Sequence, residues 1–489
     1  MRHPENVRIG ARSALAVVVA LAALTTGCGN RLPHDRVVAD ATGGGTANQS
    51  TEFSAPSAGD QLAGGAAAGT GATNPQAAGQ PANDVAAGRP ASQSSAGPQV
   101  STGAASGSKG QAAAANGSGS SACTGNEPPV TIGTVAAVSG VVGQATTNGV
   151  RAVQAWVSYI NARGGVSCHP IKHVVGDDGS DPVRNQSLHR QMVEQQGVVA
   201  FVFDASPIAD SGSRDYINQA KVPVVGPLGA FDYVYESQYM FPTYGVGKQL
   251  VALVAAAAAK YAIPQGKNKV AILTCNEASY CAMADETWAV EAPKLGFDVV
   301  SRARAPITQP DFTAQCLAAK NAGAQVILTA FAPEGNKRIA ASCENVGLKV
   351  IKGVASVQAA LDFKDSPPSN ETVIGLPVAP WFSTQIAGVK DYQQQLTKYA
   401  PSLPFDMQSI NGWTGAKHFE AATMNLPAGE VKATDILEGL WKMKGETLGG
   451  LAPYPLTFER LKPALRKTCG WLVVLKNGQW TSDGKAFCQ

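Results

Sequence analysis

From Val130 onward, short apolar and β-branched runs alternate with longer segments in which apolar residues recur every three to four positions. VTIGTVAAVSG, starting at Val130, predicts a strand that ends in a Gly/Ser turn. NGVRAVQAWVSYINARGG follows, with Val150, Val153, Trp156, Val157 and Ile160 at helical spacing and a Gly164-Gly165 stop. The series continues as strand 171–178, helix 182–196, strand 198–204, helix 210–220 and strand 222–227. A second series follows the alanine-rich stretch 241–262: strands 269–275, 297–303, 325–331 and 349–355 alternate with helices 282–295, 311–321 and 335–346. Two consecutive βαβ series predict an α/β protein with two Rossmann-like parallel-sheet lobes. In such sheets ligands sit beyond the carboxyl ends of the strands, where strand order reverses.

This pattern begins only after a very different N-terminal quarter. Residues 41–122 are mostly Ala, Gly, Ser, Thr, Gln and Pro, a composition that cannot bury enough surface to offset backbone entropy, so a disordered tether over 28–122 is expected. Before it, Arg2, Arg8 and Arg12 precede an apolar run from Ala14 to Leu24, too short to span a bilayer; residues 1–27 read as an export signal. LTTGC resembles a bacterial lipobox, with Gly27 before Cys28 and Thr25 where leucine is usual. Lipidation of Cys28 is the expectation, ordinary cleavage the alternative; once lipidated, the tether would reach roughly 50–60 Å. The remaining residues, from Cys123 on, exceed what one core usually serves. The 489 residues carry a net charge of +3, so neither a nucleic-acid partner nor a polybasic membrane patch is indicated.

Candidate chemistry is sparse. Setting Cys28 aside leaves eight cysteines, Cys123, Cys168, Cys275, Cys281, Cys316, Cys343, Cys469 and Cys488, which suit disulfides in an oxidising compartment. Pairing by sequence neighbour is preferred among 105 connectivities. Cys168, His169 and His173 lie close together, but a fourth metal ligand is not evident, and no metal site or cofactor is expected. GDDGSDPVRN fails as a calcium loop, since the sixth and twelfth positions from Asp177 are Pro182 and Leu188. Asp181-Pro182 reads instead as a helix cap followed by proline at the first helical position. Without HExxH, Walker A or GxSxG patterns, no catalytic residues are assigned and an enzyme is not expected. A C-terminal hairpin is predicted around Asn477-Gly478, closed by Cys469 and Cys488.

DDGSDPVRNQSLHRQMVEQQGVVAFVF, with IGTVAAVSGVVGQ, VPVVGP, SYCAMADETW, DFTA, APEGNKRIAASCENVGLK and NGWTGAKHFEAATMN in that order, resembles the extracytoplasmic solute-binding proteins of branched-chain amino acid (Leu/Ile/Val) ABC importers over residues 129–460. The resemblance implies the type I periplasmic-binding-protein fold, with a three-crossing hinge near 242–247, 376–382 and 451–456. Lobe one would comprise 123–245 and 377–451, and lobe two 246–376 and 452–489 with the hairpin. It also implies a small-molecule solute held between the lobes, a membrane ABC permease as partner, anchoring of the chain to the cell membrane through Cys28, and a monomer.

By that resemblance, lobe-one contacts fall on Val138-Ser139-Gly140, on Ala205, Ser206 and Pro207, and on Gly229 and Ala230; lobe-two contacts fall on Tyr280, on Phe331-Ala332-Pro333, and on Ala355-Ser356. Ser206 is the first candidate for a polar ligand contact, its alternative being a cap on the following helix. Trp381 and Phe382 would floor the cleft or pack the hinge. Three positions depart from the family pattern: Ala355 stands where the ammonium-binding carboxylate is expected, Ala145 for an aromatic and Ala332 for a tyrosine. Glu277 or Asp204 would have to supply the missing charge; otherwise the solute is an amide, an organic acid or a neutral molecule. A ligand sensor of the same architecture, or a surface interaction protein with a degenerate cleft, is the alternative use.

Overall fold

The computed structural model describes residues 123, 127–139, 143, 146–229 and 232–489. The signal peptide, Cys28 and the tether expected over 28–122 lie outside the described residues, as do Gly140, Ala145 and Ala230.

The first series forms β1 (Val130–Ala136), α1 (Thr147–Asn161), β2 (Ile171–Asp177), α2 (Pro182–Gln196), β3 (Ala200–Val202), α3 (Arg214–Ala220), β4 (Val224–Val225) and β5 (Met240–Phe241). The second forms α4 (Lys248–Ala262), β6 (Lys269–Cys275), α5 (Ser279–Lys294), β7 (Asp298–Ala305), α6 (Thr313–Asn321), β8 (Val326–Ala330), α7 (Pro333–Asn345), β9 (Ile351–Ala355) and β10 (Thr372–Leu376). The chain then adds α8 (Ala387–Tyr399), α9 (Met407–Ala422), α10 (Ala433–Lys442), the short pair β11 (Lys444–Glu446) and β12 (Leu456–Thr457), and the hairpin β13 (Cys469–Lys476) and β14 (Gln479–Cys488).

Two sheets result, as the alternation predicts. The first runs β2-β1-β3-β4-β5 and is wholly parallel. The second contains the same parallel order, β7-β6-β8-β9-β10, extended by the antiparallel hairpin as β10-β13-β14. In each sheet the strand order reverses at its first strand, so the crevice for a ligand opens between β1 and β3 in one lobe and between β6 and β8 in the other. The hairpin turns at Asn477 and Gly478, with φ of 51° and 72°, the two left-handed positions a two-residue turn of this hand demands. Strand β3 is shorter than the run 198–204; at its end Phe203 takes φ 55° while its amide still donates to the Val225 carbonyl at 2.9 Å.

Packing follows the apolar periodicity. Val150, Val153, Trp156 and Ile160 of α1 are buried, and Trp156 meets Phe419 of α9 edge-on while its indole N–H donates to Glu420 at 2.7 Å. Helix α4 is buried almost all round, its alanines letting it settle onto β9, β10 and β13; a Cβ at Gly375 would come within 2.6 Å of the Leu253 carbonyl oxygen. Four disulfides join sequence neighbours: Cys123–Cys168, Cys275–Cys281, Cys316–Cys343 and Cys469–Cys488. The chain leaves the first sheet after Phe241 and the parallel part of the second after Leu376, and it returns to the second sheet at β13 from the separate pair β11-β12. Phe458, just after β12, packs on Phe241 and stacks on His418 of α9.

A half-buried histidine, His173, and a buried one, His418, make stability pH-dependent. Thr134 gives its hydroxyl proton to the Val202 carbonyl (2.6 Å), so the His173 Nε2 at 2.9 Å must donate to Thr134, leaving Nδ1 enclosed without a partner. Burial lowers His173 to about 4 and His418 to about 3. The unfolded chain takes up these protons below about 6.5 while the folded chain does not, so their contribution is complete above that pH and is lost as pH falls toward 4. Unfolding free energy is expected to drop by about 1.4 kcal/mol per pH unit for each histidine between pH 6 and 4.5. Urea titrations across that range check it, and His418→Asn should remove one proton from the slope.

Candidate ligand cleft

The loops at the carboxyl ends of both sheets form the site, and their internal bonding decides which groups remain for a ligand. In the first lobe, the Asp177-Asp178-Asp181 run is a scaffold. Asp177 accepts the amides of Val138, Ser139 and Gly179 at 3.0–3.1 Å. Burial pushes its carboxyl up, but the Ser139 hydroxyl and these amides outweigh burial and hold it below the usual range. Asp178 accepts the Ser180 amide and the Asn185 side chain, and Asp181 caps α2 through the amides of Val183 and Arg184. The aspartates thus pin the β1 and β2 loops together, using the amides of Val138 and Ser139 to do it.

The β3 loop is held just as firmly. Ala205 bridges to Ala136, its amide donating to Val135 at 2.9 Å and its carbonyl accepting from Ala137 at 3.0 Å. Ser206 is 1% exposed, its hydroxyl turned inward toward the Val135 carbonyl at 3.4 Å, and its carbonyl accepts the amides of Ala209 and Asp210 to start the turn leading to α3. Gly229 is buried beside Val234 and Val246. Asp204 faces the lobe interior: one oxygen accepts the Val135 amide (2.9 Å), the other accepts His189 Nε2 (2.7 Å), while His189 Nδ1 donates to the Asn185 carbonyl.

The second lobe offers the opposite character. Cys275–Cys281 closes the loop from β6 into α5, where Tyr280 is half-buried with an enclosed, unpartnered hydroxyl; burial raises its pKa. Phe331, after β8, packs edge-on against Phe312 at 5.2 Å. Ser356, after β9, is 1% exposed and its hydroxyl also lacks a partner. Asn336 donates to the carbonyls of both Phe331 and Gln358 at 2.9 Å, locking the β8 loop to the 356–358 turn, and that turn touches α9 of the other lobe. Trp381 lies edge-on to Phe382 and Trp480, at 5.0 and 5.9 Å, between the second passage and the C-terminal hairpin.

One feature escapes motif reading. The N-cap positions of α5, α7 and the 356–358 turn are Ala278, Ala332 and Ala355, none with a side chain able to accept an amide. By contrast α2 and α9 are capped by Asp181 and Asp406. The starts of α5 and α7 therefore present amides that no side chain caps, the polarity that suits a negatively charged oxygen, while at the 356–358 turn Gln358 Oε1 accepts the Ala355 amide at 3.4 Å. The signal was present as alanine where Ser, Thr, Asp or Asn normally stands.

Of the two carboxylates expected to supply the missing charge, Asp204 accepts the Val135 amide and His189 within its lobe, and Glu277 accepts the Ile307 amide at 3.1 Å. His169 donates to the carbonyls of Pro128 and Pro427, and Cys168 is disulfide-bonded, which removes both from metal ligation; among the described residues no group of three ligating side chains is assembled.

A family model for periplasmic binding proteins matches residues 129–463. The chain belongs to that family. Its members are binding proteins rather than enzymes, with a small-molecule ligand between two lobes. Among solved structures, it is similar to a fatty acid ABC transporter substrate-binding protein from Thermomonospora curvata (19% identity, 75% of this chain and 95% of that one, TM-score 0.61). It is similar to the branched-chain amino acid transporter substrate binding protein of Streptococcus pneumoniae in complex with isoleucine (16%, 74% and 100%, 0.59). A solute-binding protein from R. palustris in complex with benzoate is similar too (13%, 74% and 98%, 0.59). At these identities the likeness establishes the fold. No curated protein matches the chain. No helix among the described residues is long and apolar enough to cross a membrane.

Proposed function

We propose that this periplasmic binding protein captures a small carboxylic acid, or a neutral solute of similar size, and delivers it to a membrane ABC permease. The observation that carries the reading is the wall of the second lobe: the uncapped starts of α5 and α7, flanked by the unpartnered hydroxyls of Tyr280 and Ser356. A carboxylate docked there takes up amide and hydroxyl donors without requiring a buried cation. An amino acid would also bring an ammonium group, and among the described loop carboxylates Asp177, Asp178, Asp204 and Glu277 all serve other partners. Leaving that ammonium unpaired in a closed cleft costs more than the carboxylate gains.

Lobe closure over the solute creates the surface that docks on the permease. Cys28, once lipidated, holds the chain at the outer face of the cell membrane through the 28–122 segment, and the monomer works alone. In a thermal-shift panel of acids, amides and amino acids, an acid at about 100 times its Kd should add roughly 2.7 kcal/mol of stability. Tyr280→Phe and Ser356→Ala are each expected to raise the Kd of that acid about tenfold with the fold intact, the loss of one hydrogen bond to a charged oxygen. Unchanged affinity in both variants would remove these hydroxyls from the site.

A further inference from the structure

A second cavity lies at the opposite end of the lobe-two sheet, near the amino ends of β9 and β10, with a volume of ≈ 700 Å³. That is within the range of pockets that enclose small ligands, about 300–1,000 Å³. Strand β9 links the two places: Lys352 stands near its start, and Ala355 and Ser356 lead into the cleft roughly 10–13 Å farther on.

The cavity is rich in ammonium groups. Lys267, Lys349, Lys352 and Lys476 line it, against two carboxylates, Glu344 and Glu371. Glu371 is engaged by the Tyr261 hydroxyl at 3.0 and 3.2 Å. None of the four lysines forms an ion pair within 4.0 Å, although other lysines of the described residues do. Lys352 is the most enclosed; its only hydrogen bond is to the Val350 carbonyl at 3.0 Å, so two N–H donors remain. Its surroundings lower its pKa to about 8, burial outweighing the attraction of Glu371 and Glu344 and Lys267 adding to the decrease. A half-buried cation with unused donors and no paired acceptor is stabilised by an anion.

The lysines are not needed for the helix ends that open nearby. Lys320 donates to the Val346 carbonyl beyond α7 at 2.7 Å, and Gln265 donates to the Tyr261 carbonyl in the last turn of α4 at 2.6 Å. Leu348, Ile351 and Pro368 supply an apolar wall beside the ammonium groups. We propose that this cavity is a second binding site, independent of the cleft, for an oxyanion carried on a small apolar body. A soluble alkyl phosphate and the headgroup of an anionic lipid share that chemistry.

The test titrates the purified full-length chain with inorganic phosphate, butyl phosphate, and vesicles of phosphatidylglycerol against vesicles of phosphatidylcholine. Butyl phosphate is expected to bind more tightly than inorganic phosphate. Lys352→Gln should weaken it at least tenfold, and the exposed-rim variant Lys476→Gln severalfold with unchanged melting temperature. The Lys352 signal of the reductively ¹³C-methylated protein should titrate at higher pH when the anion is bound. Vesicle binding that is selective for phosphatidylglycerol and lost in Lys352→Gln identifies a lipid headgroup; binding of the soluble phosphates alone identifies a free anion. Failure of every probe to bind, or binding unaltered in both lysine variants, overturns the proposal. Because a cleft solute should not compete with butyl phosphate, the result is separable from the cleft reading.

Discussion

Asp204→Ala is expected to destabilise the folded chain by about 3–5 kcal/mol, the usual cost of removing one partner of a buried charged pair. The carboxylate accepts from His189 on one oxygen and from the Val135 amide on the other, and His189 is 1% exposed. Its loss leaves an imidazole N–H and a strand amide without acceptors beneath the loop that carries Ala205 and Ser206. Asp204→Asn keeps an oxygen for the Val135 amide and should cost less than the alanine variant. Chemical denaturation of both variants measures the difference. Equal costs would mean that the charge on Asp204 is immaterial and that the residue acts only as a spacer.

Gly412→Val is expected to cost about 3 kcal/mol or more, and Gly412→Ala somewhat less. Helices α1 and α9 cross backbone to backbone, and a Cβ at Gly412 would overlap the carbonyl oxygen of Gly149. Alanine improves helix propensity by about 1 kcal/mol over glycine, but that gain is outweighed because the obstacle is main chain and cannot swing aside. Gly149→Ala meets the ring of Phe203 first and the Gln408 carbonyl oxygen only at 3.1 Å, so it should be better tolerated. A lower melting temperature for Gly412→Ala than for Gly149→Ala verifies this order; the reverse would show that α1 and α9 separate readily.

The elements were legible where a local pattern carries its own physical cause. The parallel pairing of β1–β5 and of β6–β10 follows from the alternation of apolar strands with helices, Asp181-Pro182 marked the start of α2, and Asn477-Gly478 marked the hairpin turn, while the 2-1-3-4-5 order is a tertiary fact. Strand β5 has only two residues, too few for any periodicity, and the end of β3 carries a positive φ at Phe203 that a phenylalanine does not announce. At the candidate site, the sequence does not show what the loop groups bond to. Asp204 meets His189 from fifteen positions away, and Glu277 meets Ile307 from thirty, so whether either carboxylate can serve a ligand is a tertiary fact. The alanines at 278, 332 and 355 were visible, yet only the positions of the helical starts give them meaning.

The central claim, that this binding protein takes a solute without a paired ammonium group, is tested most directly by calorimetric titration with matched pairs. Leucine is set against 4-methylpentanoate and phenylalanine against 3-phenylpropanoate, each pair differing by the ammonium group. The acid of at least one pair is expected to bind, and its amino acid at least tenfold more weakly. Tighter binding of the amino acid in either pair would contradict the claim, as would the absence of binding by all four compounds together with a wider set of acids and amides.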